Sequence, residues 1–173
     1  MTRPSMTRPA RTLLPLALVA ATAAPALADA KAQGTFSDWT VYTRDTGGDR
    51  ICYALSPASE KVPGSVRHGD VYFMVANWKS GAATEQPSFL AGYPLKASTP
   101  PKARVGSTRI PMYASQNEAF VEAGSDESKL VRSMRRGSVM RVEAMSERGT
   151  ATSYEFSLKG VTAALKKAKS LCG

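Results

Sequence analysis

The sequence has few of the residues from which catalytic and metal sites are usually built. Its 173 residues include one histidine, His68, and two cysteines, Cys52 and Cys172. No C-x-x-C or H-x-x-x-H spacing occurs, so the clustered ligands of a zinc site are missing. G-x-G-x-x-G and G-x-x-x-x-G-K are absent as well, which excludes the usual glycine-rich phosphate loops of nucleotide enzymes. We therefore expect no metal and no cofactor.

Long apolar runs are also scarce, and the longest one lies near the N-terminus. It reads LLPLALVAATAA at 13–24 and precedes the small residues ALA at 26–28. The positive charge before it comes from Arg3, Arg8 and Arg11. This pattern is typical of a secretory signal, and the run is shorter than the roughly 20 residues of a spanning helix. We predict a cleaved signal peptide at residues 1–28, a single domain at 29–173 and no transmembrane segment in the mature chain.

Acidic residues are few, with 14 Asp and Glu against 23 Lys and Arg. Removing the three arginines of the signal lowers the formal net charge from +9 to +6. Export to the periplasm or outer envelope would separate this basic chain from nucleic acid. The anionic partners there are envelope polymers, lipids and acidic proteins. The alternative is that the charge serves only solubility.

Both cysteines lie in the part of the chain that is predicted to be exported. An oxidising compartment favours a disulfide between Cys52 and Cys172, with a reactive thiol as the alternative. The bridge would close a loop of about 120 residues, which the chain-entropy model values at roughly 4 to 5 kcal/mol.

Alternation of apolar and polar residues predicts a mainly β domain. Strand-like segments include FSDWTVYT, RICYALS, DVYFMVANW and a strand in SFLAGYPL that is broken by Gly92 and Pro94. Hairpins are expected at DTGGDR, around Gly106 and Ser107, and between SVMRVEAMS and TATSYEFSL. The last of these places Tyr154 and Phe156 inward.

Two segments have helical periodicity instead. SDESKLVRSMRRG predicts a short helix with Ser125 as its cap and with a buried stripe of Leu130, Val131 and Met134. VTAALKKAKSLC predicts a C-terminal helix with Cys172 on its buried stripe. We therefore predict a mainly β, single-domain fold, β-sandwich-like or barrel-like, with a short helix and a C-terminal helix.

If the two helices are neighbours, their cations would form one basic face for a partner. The candidate residues are Arg135, Arg136, Lys166, Lys167 and Lys169. A solvated charged surface is the alternative interpretation of the same residues.

Several segments together resemble a known family. RGTATSYEFSLKGVTAAL at 148–165 is preceded, in chain order, by FSDWTVY, CYALSP, YFMVANW, GYPL and LVRSMRRG and is followed by the final cysteine. The order and spacing of these segments carry the resemblance. The chain is similar to the invasion-associated locus B family of exported proteins of Gram-negative bacteria. The resemblance implies a periplasmic or outer-envelope β-sandwich-like domain without an established catalytic activity, in a family whose name records an association with entry into host cells. We expect this chain to act as a binding or structural module of the envelope. Many relatives have a cysteine where this chain has Thr43, and the corresponding second bridge is therefore not expected.

Two other functions are weighed against this one. A periplasmic hydrolase would need a constellation such as Ser65, His68 and Asp70, or paired carboxylates such as Glu118 and Glu122. A carrier of a small apolar ligand would use aromatic side chains among the strands. The candidates for that role are Tyr42, Tyr53, Trp78 and Tyr93.

Overall fold

The structure is a computed structural model that describes residues 30–173; the predicted signal peptide at 1–28 lies outside the described residues. Within this range the chain forms eleven strands and two helices. The helices are α1 (Ser125–Arg136) and α2 (Val161–Cys172). In chain order the strands are β1 (Lys31–Phe36), β2 (Trp39–Thr46), β3 (Asp49–Pro57), β4 (Glu60–Val62), β5 (Tyr72–Trp78), β6 (Gln86–Leu90), β7 (Lys102–Val105), β8 (Thr108–Ser115), β9 (Glu118–Val121), β10 (Val139–Met145) and β11 (Ala151–Ser157).

All neighbouring strands pair antiparallel in one continuous sheet, in the order β1-β2-β3-β5-β6-β9-β8-β7-β10-β11-β4. Its edges are β1 and β4, so the sheet is not a closed barrel. Strand β8 makes the corner, because 108–111 pair with β7 and 112–115 pair with β9. One half of the sheet consists of β1, β2, β3, β5, β6 and β9, and the other half consists of β7, β10, β11 and β4.

The two halves face each other and enclose the core. Phe73 of β5 packs on Phe156 of β11 with ring centroids 5.7 Å apart, and Phe89 of β6 lies 5.5 Å from the ring of Tyr154. The indole Nε1–H of Trp39 donates to the Ser157 carbonyl at 2.9 Å, which joins residues 118 positions apart. The curled sheet thus supplies most of its own core, as in a β sandwich.

The helices cover the part of the inner face that the sheet leaves open. Helix α2 packs mainly on β3 and β2, and α1 contacts β8, β7, β6 and α2. The predicted stripe of α1 is fully buried, with Leu130, Val131 and Met134 all at 0–1% exposure. Helix α2 likewise buries Leu165 and Ala168.

The predicted cap of α1 is wrong by one residue. Gly124 is the N-cap, and Ser125 is the first helical residue. The Gly124 N–H donates to the Glu127 carboxylate at 3.1 Å, because Glu127 lies three residues further and reaches back. Gly124 has φ 110°, a conformation that serine rarely adopts.

The mainly β fold with two helices is confirmed, as are the hairpin at Gly106 and Ser107 and the β10–β11 hairpin. Strands β1 and β4 were not predicted. The expected strand in SFLAGYPL ends at Leu90, so Gly92 and Pro94 follow it rather than interrupt it.

Candidate interaction surfaces

Cys52 and Cys172 form a disulfide that fixes the end of α2 to β3. Cys52 lies on the inner face of β3, and Cys172 is in the last turn of α2. Both residues are buried, together with Leu165 and Ala168 on the same helix stripe. Lys166 and Lys169 are consequently held on the exposed side of the helix.

The predicted basic face is assembled only in part. Arg135, Lys166 and Lys169 line one open cleft of about 450 Å³ between the two helices. Arg136 and Lys167 are not among the lining residues of this cleft. Thus the structure brings three of the five predicted cations together.

An acidic group lies in the same cleft. Glu85 lines it and forms an ion pair with Arg135. Lys166 and Lys169 make no ion pair with any residue in the described range 30–173. The positive charge of the cleft is therefore reduced to that of the two lysines.

A second basic surface was not predicted and lies on the outer face of the sheet. Arg104 of β7 is directly opposite Arg109 of β8 on one side and Arg141 of β10 on the other. Directly opposite residues project from the same face of a sheet, so the three side chains form one row. All three are exposed. We call Arg104, Arg109 and Arg141 the arginine row.

On the strands beyond Arg141, the same face of the sheet carries negative charges. Arg141 is opposite Glu155 of β11, with which it forms an ion pair, and Glu155 is opposite Glu60 of β4. Arg104 and Arg109 make no ion pair within residues 30–173. The cationic end of the row is thus free to meet an anion.

Like charges in directly opposite positions lower the stability of a sheet. The Arg104–Arg109 pair lies next to the tight turn at Gly106 and Ser107, and these four residues line an open cavity of about 360 Å³. An anion bound there would offset the mutual repulsion of the two guanidinium groups, which also present the planar donor pairs that suit carboxylate and phosphate. The Arg104–Arg109 pair is therefore suited to binding an anion.

The outer face of the other half of the sheet is rich in aromatic residues. Tyr42 stacks on Tyr53 across β2 and β3 with centroids 5.5 Å apart, and Tyr113 lies 5.7 Å from Phe120 across β8 and β9. Trp78 occupies the same outer face on β5, as its pairing with Ile51 shows. These aromatic side chains lie along a surface and do not surround a shared internal cavity.

Tyr93, the fourth aromatic residue of the carrier hypothesis, lies elsewhere and belongs to a polar network. Its hydroxyl contacts the Thr152 Oγ1 at 2.6 Å and the Tyr154 hydroxyl at 2.8 Å. The Tyr154 hydroxyl in turn lies 2.8 Å from Nδ1 of His68. Burial raises the pKa of Tyr154, so its phenol stays protonated.

His68 does not form the constellation that a serine hydrolase would need. The ring is buried, and its Nε2 donates to the Pro63 carbonyl at 2.8 Å, since a carbonyl can only accept. With Nδ1 bonded to Tyr154, both ring nitrogens have partners other than Ser65 and Asp70.

The paired-carboxylate alternative involves two residues in different surroundings. Glu118 begins β9 and is half-buried, and this burial raises the pKa of its carboxyl group. Glu122 lies beyond the end of β9 and is exposed. Among residues 30–173 there is no group of three or more His, Cys, Asp or Glu that could hold a metal ion.

Fold and surface together define a class of protein, namely a small antiparallel β domain with a disulfide-anchored terminal helix and exposed arginine and aromatic surfaces. No helix in the described part of the chain is long and apolar enough to cross a membrane. The chain belongs to the family described as Invasion associated locus B (IalB) protein, which it matches over residues 39–169. The matched region begins with β2 and extends into the last turns of α2. No curated protein and no solved structure matches this chain.

Proposed function

We propose that the chain is an exported, non-enzymatic protein of the cell envelope, located in the periplasm or at the outer envelope, where it acts as a binding or structural module. Two features support export. Residues 1–28 have the pattern of a cleaved secretory signal. The Cys52–Cys172 bridge is of a kind that persists in oxidising compartments. Membership of a family named for invasion supports a link to contact with host cells.

The arginine row is the observation that carries the binding role. Its three exposed guanidinium groups lie side by side on adjacent strands, and two of them make no ion pair within residues 30–173. Strands about 4.8 Å apart hold these groups at a short, regular spacing. The matching partner is an envelope polymer that carries repeated phosphate or carboxylate groups, because each guanidinium favours such a group.

Sedimentation of the purified oxidised protein with isolated envelope tests this function. Binding at low ionic strength should decrease strongly between about 0.02 and 0.5 M salt, because exposed charges are screened over that range. The double variant Arg104→Gln with Arg109→Gln should bind several-fold more weakly at low salt. Arg141 is left unchanged because it also pairs with Glu155.

The matched control removes the same amount of charge from the cleft between the helices. Lys166→Gln with Lys169→Gln should leave most of the envelope binding intact. If this variant loses as much binding as the arginine variant, net charge rather than the arginine row is responsible. Binding that does not change with salt would contradict an electrostatic contact.

The two alternatives have less support from the geometry. The space between the two halves of the sheet is occupied by Phe73, Phe89, Tyr154 and Phe156, where a carrier would need room for its ligand. A hydrolase would need His68 beside a nucleophile, and its ring nitrogens contact Tyr154 and the Pro63 carbonyl instead. Both alternatives therefore rank behind the binding module.

A further inference from the structure

A pocket of about 330 Å³ lies beside the polar network of His68. One wall comes from Val66 and Arg67, in the loop before β5. Other lining residues come from the β10–β11 turn and the start of β11. The polar residues around it are Arg67, Tyr93, Ser146, Arg148, Thr150 and Thr152.

The lining combines two guanidinium groups with four hydroxyl groups and contains no carboxylate. Neither Arg67 nor Arg148 forms an ion pair with a residue of the described range. Arginine and hydroxyl donors together are the groups with which proteins hold carboxylate and phosphate oxygens. Glu147, which follows Ser146 in the sequence, does not line the pocket.

The hydroxyl groups of the pocket are held in place from behind. Thr152 is buried, its Oγ1 donates to the Ala144 carbonyl at 3.2 Å, and the Tyr93 hydroxyl lies 2.6 Å from the same oxygen. Tyr154 and His68 extend this network to the Pro63 carbonyl. The raised pKa of Tyr154 means that no phenolate develops behind the pocket to repel an anion. The hydrogens of Thr152 and Tyr93 are used inside this network, so the network fixes the wall of the pocket. A wall that is ordered before binding lowers the ordering cost of binding.

We propose that this pocket binds a small molecule bearing one oxyanion, a carboxylate or a phosphate. Arg67 and Arg148 supply the positive charge and charge-assisted hydrogen bonds, and the Ser146 hydroxyl, which accepts one backbone N–H, keeps its own hydrogen to donate. The volume lies at the lower end of the range for ligand pockets, so it accommodates the oxyanion together with a small body. Val66 and the Tyr93 ring provide apolar contact for that body. These residues are separate from the arginine row, so this site and the proposed envelope contact stand or fall independently.

NMR titration of the isotopically labelled, oxidised protein at constant ionic strength tests the site. The probes are glucuronate, glucose 6-phosphate and neutral glucose, which share a sugar ring and differ in the charged group. Saturable shifts should appear for at least one acid at the amides of 148–152 and at the Arg67 and Arg148 Nε–H groups. Comparison of the two acids decides between carboxylate and phosphate, and glucose should produce no saturable shift.

Two variants assign the roles. Arg67→Gln with Arg148→Gln should weaken binding of the acid by at least about tenfold, as expected when charge-assisted hydrogen bonds are lost. Ser146→Ala should weaken it several-fold while the variant remains folded by near-ultraviolet circular dichroism. Lys166→Gln with Lys169→Gln is the control with equal loss of charge and should bind the acid normally.

Three results would overturn the site. The first is the absence of a saturable shift for both acids up to about 10 mM, roughly ten times the dissociation constant of a weak, millimolar ligand. The second is binding of glucose as tight as that of the acids. The third is an unchanged affinity in the Arg67 and Arg148 double variant.

Discussion

Gly92 lies directly against the loop that carries His68. A Cβ atom added at this glycine would be 2.8 Å from the Gly69 Cα and 2.9 Å from the Asp70 nitrogen, which is closer than real Cβ contacts. These neighbours are backbone atoms, so they cannot rotate away as a side chain would. The glycine in the GYPL segment is thus explained by the close approach of two chain segments.

The variant Gly92→Ala should therefore be destabilised by about 1 to 3 kcal/mol, the usual cost of overpacking. Chemical denaturation followed by fluorescence measures this difference. Gly64→Ala is the matched control in the same region, because an added Cβ there meets nothing within 4 Å. Equal stability of the two alanine variants would show that the two segments do not pack as described.

Glu118 provides a pH-dependent test at the same scale. Burial raises the pKa of its carboxyl group, so the charged form is disfavoured in the folded state. Stability should fall as pH rises through this pKa. Glu118→Gln should accordingly unfold at a higher temperature than the wild type at about pH 7, and this advantage should disappear at about pH 3, where the carboxyl is protonated in both states.

The exposed Glu122 provides the comparison for that measurement. Glu122→Gln should change the unfolding temperature little at either pH, since its side chain lies in solvent beyond the end of β9. A Glu118→Gln variant that is less stable than the wild type at neutral pH would contradict the effect of burial.

Individual inward residues were predictable because alternation and helical spacing act locally. Tyr154, Phe156 and Leu130 are buried as the patterns indicated. The role of Tyr154 beyond packing was not predictable. Its partners His68 and Tyr93 are 86 and 61 positions away, and no local pattern connects them.

At the scale of elements, helix α2 is the one that a disulfide anchors to the sheet. Its Cys172 is bonded to Cys52 across 120 residues of sequence. Replacing both cysteines with alanine should lower the free energy of unfolding by about 2 to 5 kcal/mol, because the unfolded chain regains the entropy of that loop. Denaturation of the wild type and the double variant measures the loss.

Hydrogen exchange locates the effect within the molecule. Amides in the last turns of α2 should lose protection first in the double variant, whereas those of β10 and β11 should be less affected. A chain purified under oxidising conditions with two free thiols, or a variant with undiminished stability, would contradict the role of the bridge.

The local hairpins were predictable, and one of them contains part of the unpredicted surface. A two-residue turn at Gly106 and Ser107 places Arg104 opposite Arg109, so this pair follows from the hairpin register. Arg141 joins the row only through the pairing of β10 with β7, which are distant in the sequence. Strands β4 and β1 were also missed. Strand β4 has only three residues, and the pairing of β1 is irregular at Gly34.

On the scale of the whole molecule, composition and alternation predicted the fold class, and the order of several motifs indicated the family. The strand order could not be predicted, because β8 bends from β9 to β7 and the pairing of β7 with β10 joins distant parts of the chain. Contacts between distant parts of the chain also decide which charged side chains meet. The two predicted helices do touch, yet Glu85, which comes before β6, enters their cleft and pairs with Arg135.

The central claim is that this chain contacts an anionic component of the envelope through its arginine row. Photo-crosslinking in the native envelope tests it most directly, with a photoreactive residue at Ser107 beside Arg104 and Arg109, or at the exposed Ala82 between β5 and β6 as the control. Mass spectrometry should find one dominant envelope polymer on the Ser107 probe, diminished by added salt and much weaker on the Ala82 probe. Equal cross-linking from both positions, or none from Ser107 in exported protein, would contradict the account.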